Sequence, residues 1–194
     1  MSELIAQSPA DPLALAREWI PASVHPGPLM TLATIDEDGL PDARSVLLTE
    51  LDADGFHFHT DLASRKVAQL RAHPEVALCI PLVAEARQLT VQGRAREADA
   101  AELARAYAAR PPYLQQLAWL NSHEFAELPQ PERVSRWQAF AAAHPDGFAQ
   151  APGWTGFVVE PVRMTFWFGS TETASRRLEY RRGDDGWRAH VRAG

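Results

Sequence analysis

At 194 residues, with 46% hydrophobic and 23% charged side chains, the chain is long enough for a sizeable core and has an ordinary globular composition. A net charge of −6 excludes general affinity for nucleic acid or an anionic membrane, so any basic cluster must be a local site. The single cysteine, Cys79, excludes an internal disulfide and fits a reducing, cytoplasmic setting, and the N-terminal MSELIAQSPADPLALAREWI lacks the apolar run of a signal peptide or membrane span.

Asp11-Pro12 is an N-cap and first-turn pair, and Leu13, Ala16 and Ile20 follow at helical spacing, which predicts a helix over about 11–20 ending before Pro21. A proline-containing loop comes next. MTLATI, Met30 to Ile35, has strand character, and Asp36-Glu37-Asp38-Gly39 is a turn.

Arg44 to Lys66, RSVLLTELDADGFHFHTDLASRK, reads as strand, tight turn, strand and helix start. Val46 and Leu48 alternate with Ser45 and Leu47, and Phe56 and Phe58 with His57 and His59, the period of a half-buried hairpin closed by Asp54-Gly55. Pairing of these two strands is expected to bring Arg44 near Ser64, Arg65 and Lys66 at the mouth of a helix carrying Val67 and Leu70 on one face. A helix start with free backbone N–H groups and two cations, joined by a further arginine and no acidic partner, is a phosphate site in outline.

Val76 to Ile80 and Arg87 to Glu97 are strand candidates. Asp99 and Glu102 have capping-box spacing and open a helix running towards Arg110, stopped by Pro111-Pro112. Leu114 to Leu120 reads as a short helix, and Pro131 to His144 as another with Val134, Trp137 and Phe140 as its apolar face. Trp154 to Glu160 and Arg163 to Phe168 read as strands, and Arg177 to Arg182 with Trp187 to Arg192 as a closing hairpin. Strands at short intervals with inserted helices predict a mainly β, α+β chain folded as one domain over 1–194, an antiparallel barrel or sandwich with peripheral helices.

Few side-chain patterns carry chemistry. There is no Gly-rich nucleotide loop and no Gly-x-Ser-x-Gly elbow. The acidic runs at 36–39 and 52–55 lack the closing glutamate of a calcium loop and read as hairpin turns. His123-Glu124 lacks the second histidine of a zinc-protease helix, and His57 and His59 lack a third ligand, so no metal site is expected. Hard chemistry would therefore come from a bound cofactor.

PLALAREWI, MTLATIDEDGLPDARSVLL, FHFHTDLASRK, ARQLTVQGRA, ARPP followed by AW, and the terminal WTGFVVEP, FWFG, RRLEY and GW span nearly the whole chain. In these segments, and in their order, the chain resembles the pyridoxine/pyridoxamine 5′-phosphate oxidase family of FMN-binding split β-barrels, which includes relatives from phenazine biosynthesis. The resemblance implies an antiparallel split β-barrel, a homodimer with FMN at its interface, and Arg44, Arg65 and Lys66 on the FMN phosphate with Ser64 beside them. It places Ser45, Val46 and Leu47 of the first strand against the cofactor, His59 and Thr60 where the family has a Tyr-Thr pair, and Gln88, Trp167 and Arg177 near the ring or ribityl chain. Guanidinium forks suit phosphate oxygens, and an aromatic wall with polar donors suits a flavin ring.

The substrate side departs from the pattern. The family's lysine after RxVLL is Thr49, its Arg-aliphatic-His-acid-Arg run is Thr173-Ala174-Ser175-Arg176-Arg177, and a tyrosine and serine flanking Arg110 are Ala106 and Leu114. Loss of about three charge-assisted contacts, at roughly 1.5–3 kcal/mol each, would weaken a phosphate substrate by orders of magnitude. The expected activity is thus FMN-dependent oxidation of a small molecule that need not be a B6 vitamer: hydride transfer to flavin N5, then reoxidation by dioxygen. Arg177 and Gln88 tune the flavin, Arg110 holds a substrate anion, and Thr49 and Ser175 flank the substrate. The alternatives are a true pyridoxamine-phosphate oxidase with a rearranged grip, and a flavin- or haem-binding barrel without turnover.

Overall fold

The structure is a computed structural model in which residues 3–21 and 27–194 are described. Most of the proline-containing loop expected after Pro21 lies outside them. A nine-stranded antiparallel sheet curls into the split barrel that the family resemblance implied. Its strands are β1 (Leu29–Ile35), β2 (Pro41–Leu47), β3 (Glu50–Leu51), β4 (Phe56–Asp61), β5 (Glu75–Leu82), β6 (Arg87–Glu97), β7 (Trp154–Phe168), β8 (Arg176–Gly183) and β9 (Gly186–Ala193). They run in the order β2-β1-β5-β6-β7-β4-β3, with β8 added to β7 and β9 to β8.

The chain resolves into two compact units, one of residues 1–58, 65–96 and 157–194, the other of 59–64 and 97–156. The first holds most of the sheet, together with α1 (Glu3–Ala6), α2 (Pro12–Trp19) and α3 (Arg65–Ala72). Alternation buries Met30 and Leu32 of β1, Leu78 and Ile80 of β5, and Leu89 and Val91 of β6 in one core. Asp11 caps α2 as its sequence implies, accepting from Leu13 N at 2.9 Å with Pro12 in the first turn.

Two expectations about strands change. The stretch 44–48 does not pair with 56–59. β2 is matched along its length with β1, from Leu29–Leu47 to Ile35–Pro41, across the turn in which Gly39 has φ +79°. From the segment before the Asp54-Gly55 turn, the residues registered with β4 are Glu50 and Leu51, those nearest that turn. In addition, 154–160 and 163–168 form one strand, β7, that runs through Pro161. Pro161 precedes Arg163, the first residue registered with β8, so its missing N–H removes no bond there.

The second unit carries α4 (Ala100–Ala108), α5 (Pro112–Leu120), α6 (His123–Glu127) and α7 (Gln130–Ala143). Asp99 and Glu102 form the expected reciprocal capping box on α4. Its small core joins Tyr107, Ala151 and Trp154. The Val134–Trp137–Phe140 face of α7 is not buried: no residue of α7 is, and Val134 is 48% exposed. Among the described residues no helix is long and apolar enough to cross a membrane.

Candidate functional site

Residues two apart in a strand share a face, so Asp42 and Arg44 project together from β2. Arg65 opens α3, and Gln69, one turn later, lies on the same helix face and is buried. These four side chains meet. Asp42 Oδ2 is 2.7 Å from Arg44 Nη2 and 2.8 Å from Arg65 Nη2, and accepts from Gln69 Nε2 at 2.9 Å. Arg44 also donates to Thr34 Oγ1 and Gln69 Oε1, each at 2.6 Å. Arg44 and Arg65 thus converge as the sequence predicted, with β2 brought there by β1 and not by β4. The expectation of cations without an acidic partner is overturned by Asp42. Its carboxyl is held below the usual range by the Gln69 hydrogen bond, then, against some burial, by Arg44 and Arg65. Lys66 follows Arg65 on α3.

Of the other β2 candidates, Ser45 is exposed, Leu47 is half-buried, and Val46 packs in the core and has only backbone to offer a ligand.

A second group forms on the β6–β7–β8–β9 surface. Trp167 is the cross-strand partner of Arg177, and Arg177 of Arg192, while Thr165 is opposite Glu179. Direct partners share a sheet face, so these side chains line up in two adjacent rows. With Gln88 and Thr90, which alternate onto one face of β6, they line a cavity of about 480 Å³. Gln88, Trp167 and Arg177, predicted from three distant points of the sequence, therefore line a single cavity, of a size usual for small-molecule sites (~300–1,000 Å³). Glu179 and Arg192 were not foreseen. Glu179 Oε1 accepts from Arg181 Nε at 2.7 Å and Arg192 Nε at 3.1 Å. Burial would raise its carboxyl pKa, and the two arginines more than offset this, holding it low.

In the second unit, His59 lies parallel to Trp154, with ring centroids 4.7 Å apart and an interplanar angle of 3°. Gly156 makes this possible, because a Cβ there would overlap the imidazole. Arg110 Cζ is 4.4 Å from the Trp154 centroid. Arg110 Nε is buried without a hydrogen-bond partner, and burial lowers the guanidinium pKa, opposed by Tyr107. Thr60 follows His59 in the half-buried end of β4, and Ser64 N donates to Asp61 O at 3.0 Å just before α3.

Thr49 Oγ1 donates to His57 O at 3.0 Å, and Ser175 O accepts from Gly194 N at 3.0 Å. The acidic runs are turn builders as expected: Asp36 Oδ1 accepts from Asp38 and Leu40 N, and Asp52 Oδ1 from Asp54 and Gly55 N. Glu50, Asp52 and His57 approach within 4.8 Å of one another, but Asp52 spends its Oδ1 on the turn and lies 3.0 Å from His57 Nε2, a hairpin latch.

Comparison with known proteins agrees with this architecture. Residues 18–168 match the family profile described as pyridoxamine 5′-phosphate oxidase, and 154–193 match that of the pyridoxine 5′-phosphate oxidase C-terminal dimerisation region. A pyridoxine/pyridoxamine 5′-phosphate oxidase of Rhodopseudomonas palustris is 37% identical over 182 residues, 90% of this chain and 84% of the relative. That of Ralstonia pickettii is 36% identical over 187 residues, 94% of this chain and 88% of the relative. Among solved structures, PhzG from Burkholderia lata, in complex with tetrahydrophenazine-1-carboxylic acid, superposes with TM-score 0.84 at 23% identity, covering 100% of this chain and 98% of that one. A pyridoxamine 5′-phosphate oxidase-related, FMN-binding protein of Nostoc punctiforme gives TM-score 0.73 at 18% identity, covering all of both chains. At these identities the two likenesses speak for the fold.

Proposed function

The chain belongs to the pyridoxamine 5′-phosphate oxidase family, and from that premise we propose that it is an FMN-dependent oxidoreductase, acting as a homodimer in the cytoplasm on a small anionic molecule other than pyridoxamine phosphate. The observation that carries the reading is the convergence of Gln88, Trp167 and Arg177 on one cavity. Among the described residues the Arg177 side chain has no hydrogen-bond or ion-pair partner, which suits a guanidinium reserved for a ligand. The residues fit the cofactor: Arg44, Arg65 and Lys66 would hold its phosphate, Trp167 would wall the ring, and Gln88 and Arg177 would meet its polar edge. His59, Thr60 and Ser64 are the remaining cofactor contacts implied by the family pattern.

The chemistry bound FMN supplies is acceptance of a hydride, with electrons passed on to dioxygen. The chain's own residues do the rest. Arg177 and Gln88 place positive charge and hydrogen-bond donors where negative charge develops. Arg110, stacked on Trp154, offers a planar fork to a substrate anion. The sheet register fixes the cavity-lining side chains relative to one another, so a bound ring would meet them in one orientation. The homodimer rests on the match of 154–193 to a dimerisation region. An anionic ring substrate is consistent with the carboxylate bound to PhzG.

A second reading, true pyridoxamine-phosphate oxidation, is favoured by the relatives' activity. Thr49 and Ser175 count against it, since neither side chain can replace a cation or an imidazole. Anaerobic titration of the FMN-loaded protein separates the two. Bleaching of the flavin by other donors, but not by pyridoxamine phosphate, fits the first reading, and ready bleaching by pyridoxamine phosphate fits the second. Protein that takes up no FMN would end both.

A further inference from the structure

We propose that Asp42 is a built-in rival of the cofactor phosphate, its carboxylate occupying Arg44 and Arg65 and setting how tightly they hold a phosphate monoester. The inference rests on the FMN reading above. Three donors converge on one oxygen, Oδ2: Arg44 Nη2 at 2.7 Å, Arg65 Nη2 at 2.8 Å and Gln69 Nε2 at 2.9 Å. Two guanidinium groups and an amide around a single anionic oxygen are what a phosphate oxygen would receive.

The two arginines are held unequally. Arg44 is anchored by Thr34 and Gln69 as well, and its side chain is 19% exposed. Arg65 is 78% exposed, and its ion pair with Asp42 is an attachment of the weak surface kind. An arriving phosphate can therefore draw Arg65 outwards while Arg44 stays. Asp42 itself cannot retreat easily, being 17% exposed and tied to Gln69. The phosphate is left beside a fixed carboxylate.

Charge gives the direction of the effect. Arg44 and Arg65 against Asp42 leave a net +1, and an uncharged residue at 42 would leave +2. The phosphate carries about −1.5 to −2 at neutral pH, so removing the neighbouring anion at roughly 5 Å strengthens binding even in a water-like dielectric, by about tenfold. Salt reduces the gain.

The test uses the purified chain stripped of flavin, titrated with FMN and with riboflavin while flavin fluorescence is followed. Asp42→Asn and Asp42→Ser are compared with wild type, with circular dichroism confirming that each is folded. Wild type should bind FMN more tightly than riboflavin, and both variants should tighten FMN about tenfold with riboflavin unchanged. Unchanged or weaker FMN binding in a folded variant would overturn the proposal, because Asp42 would then be an organiser of the arginines. Equal affinity of wild type for FMN and riboflavin would instead remove the phosphate cradle itself, and the FMN-phosphate reading with it.

Discussion

Arg110 sits over the Trp154 ring, its Cζ 4.4 Å from the ring centroid, and His59 stacks on the same indole at 4.7 Å. Trp154 also donates from Nε1 to Leu103 O at 3.1 Å and is 7% exposed, so it both fills the small core and orients a charge. Trp154→Ala should lose about 3 kcal/mol or more in urea unfolding. Arg110→Lys, which keeps the charge and loses the planar fork, should leave unfolding nearly unchanged while KM rises about tenfold. Equal KM in Arg110→Lys and wild type would remove Arg110 from the substrate site.

Arg177 makes the opposite case, an arginine that stability does not need. It is exposed, and among the described residues its side chain has no hydrogen-bond or ion-pair partner. Arg177→Ala should therefore shift stability by less than about 0.5 kcal/mol. Stopped-flow reduction of the bound flavin should slow by roughly 10²-fold, the size expected when a donor aimed at developing charge is removed. A large loss of stability with normal reduction would show that Arg177 is structural.

The secondary structure was legible because period-two alternation and caps are local signals, and Asp99 with Glu102 or MTLATI needed nothing from elsewhere. Pairing was not. Asp54-Gly55 announces a turn, yet turn chemistry says nothing about how far the flanking strands zip, and β2 was already taken by β1 through the turn at 36–39. Asp42 was missed although its signal was present: a residue two before Arg44 on a strand shares its face, so an acid was waiting beside the counted cations. Gln88, Trp167 and Arg177 lie too far apart for any spacing rule, and only the family pattern singled them out before the sheet register joined them. Glu179 and Arg192 sit off that pattern, and cross-strand register alone reveals them.

Asp52 gives the fold a specific acid sensitivity. Burial alone would raise its carboxyl pKa, but His57 and the amides of Asp54 and Gly55 outweigh it, so the folded pKa is lowered. A lowered folded pKa means that the carboxylate's contribution is present above the unfolded value near pH 3.9 and is lost as pH falls through the folded value. Asp52 is 35% exposed, so solvent screening limits the effect to about 1 kcal/mol. Asp52→Asn should be less stable than wild type at neutral pH, with the gap closing below about pH 4. A gap that stayed constant down to pH 2.5 in urea titrations would assign the loss to the turn's hydrogen bonds alone.

The departures at Thr49 and Ser175 predict a gain of function. Thr49 spends its hydroxyl on the His57 carbonyl at 3.0 Å, while its backbone N–H already bonds that same oxygen at 2.9 Å, so the hairpin keeps one of the two bonds without the hydroxyl. Lysine at 49 would supply an ammonium where the family pattern has one, and histidine at 175 a second donor. Each charge-assisted bond is worth roughly 1.5–3 kcal/mol, about one to two orders of magnitude in affinity. Thr49→Lys with Ser175→His should therefore lower the pyridoxamine-phosphate concentration that half-bleaches the flavin anaerobically by at least about tenfold, with pyridoxamine itself unaffected. If the double variant gained equally for pyridoxamine and its phosphate, the missing cations would not be what turns this chain away from B6 phosphates.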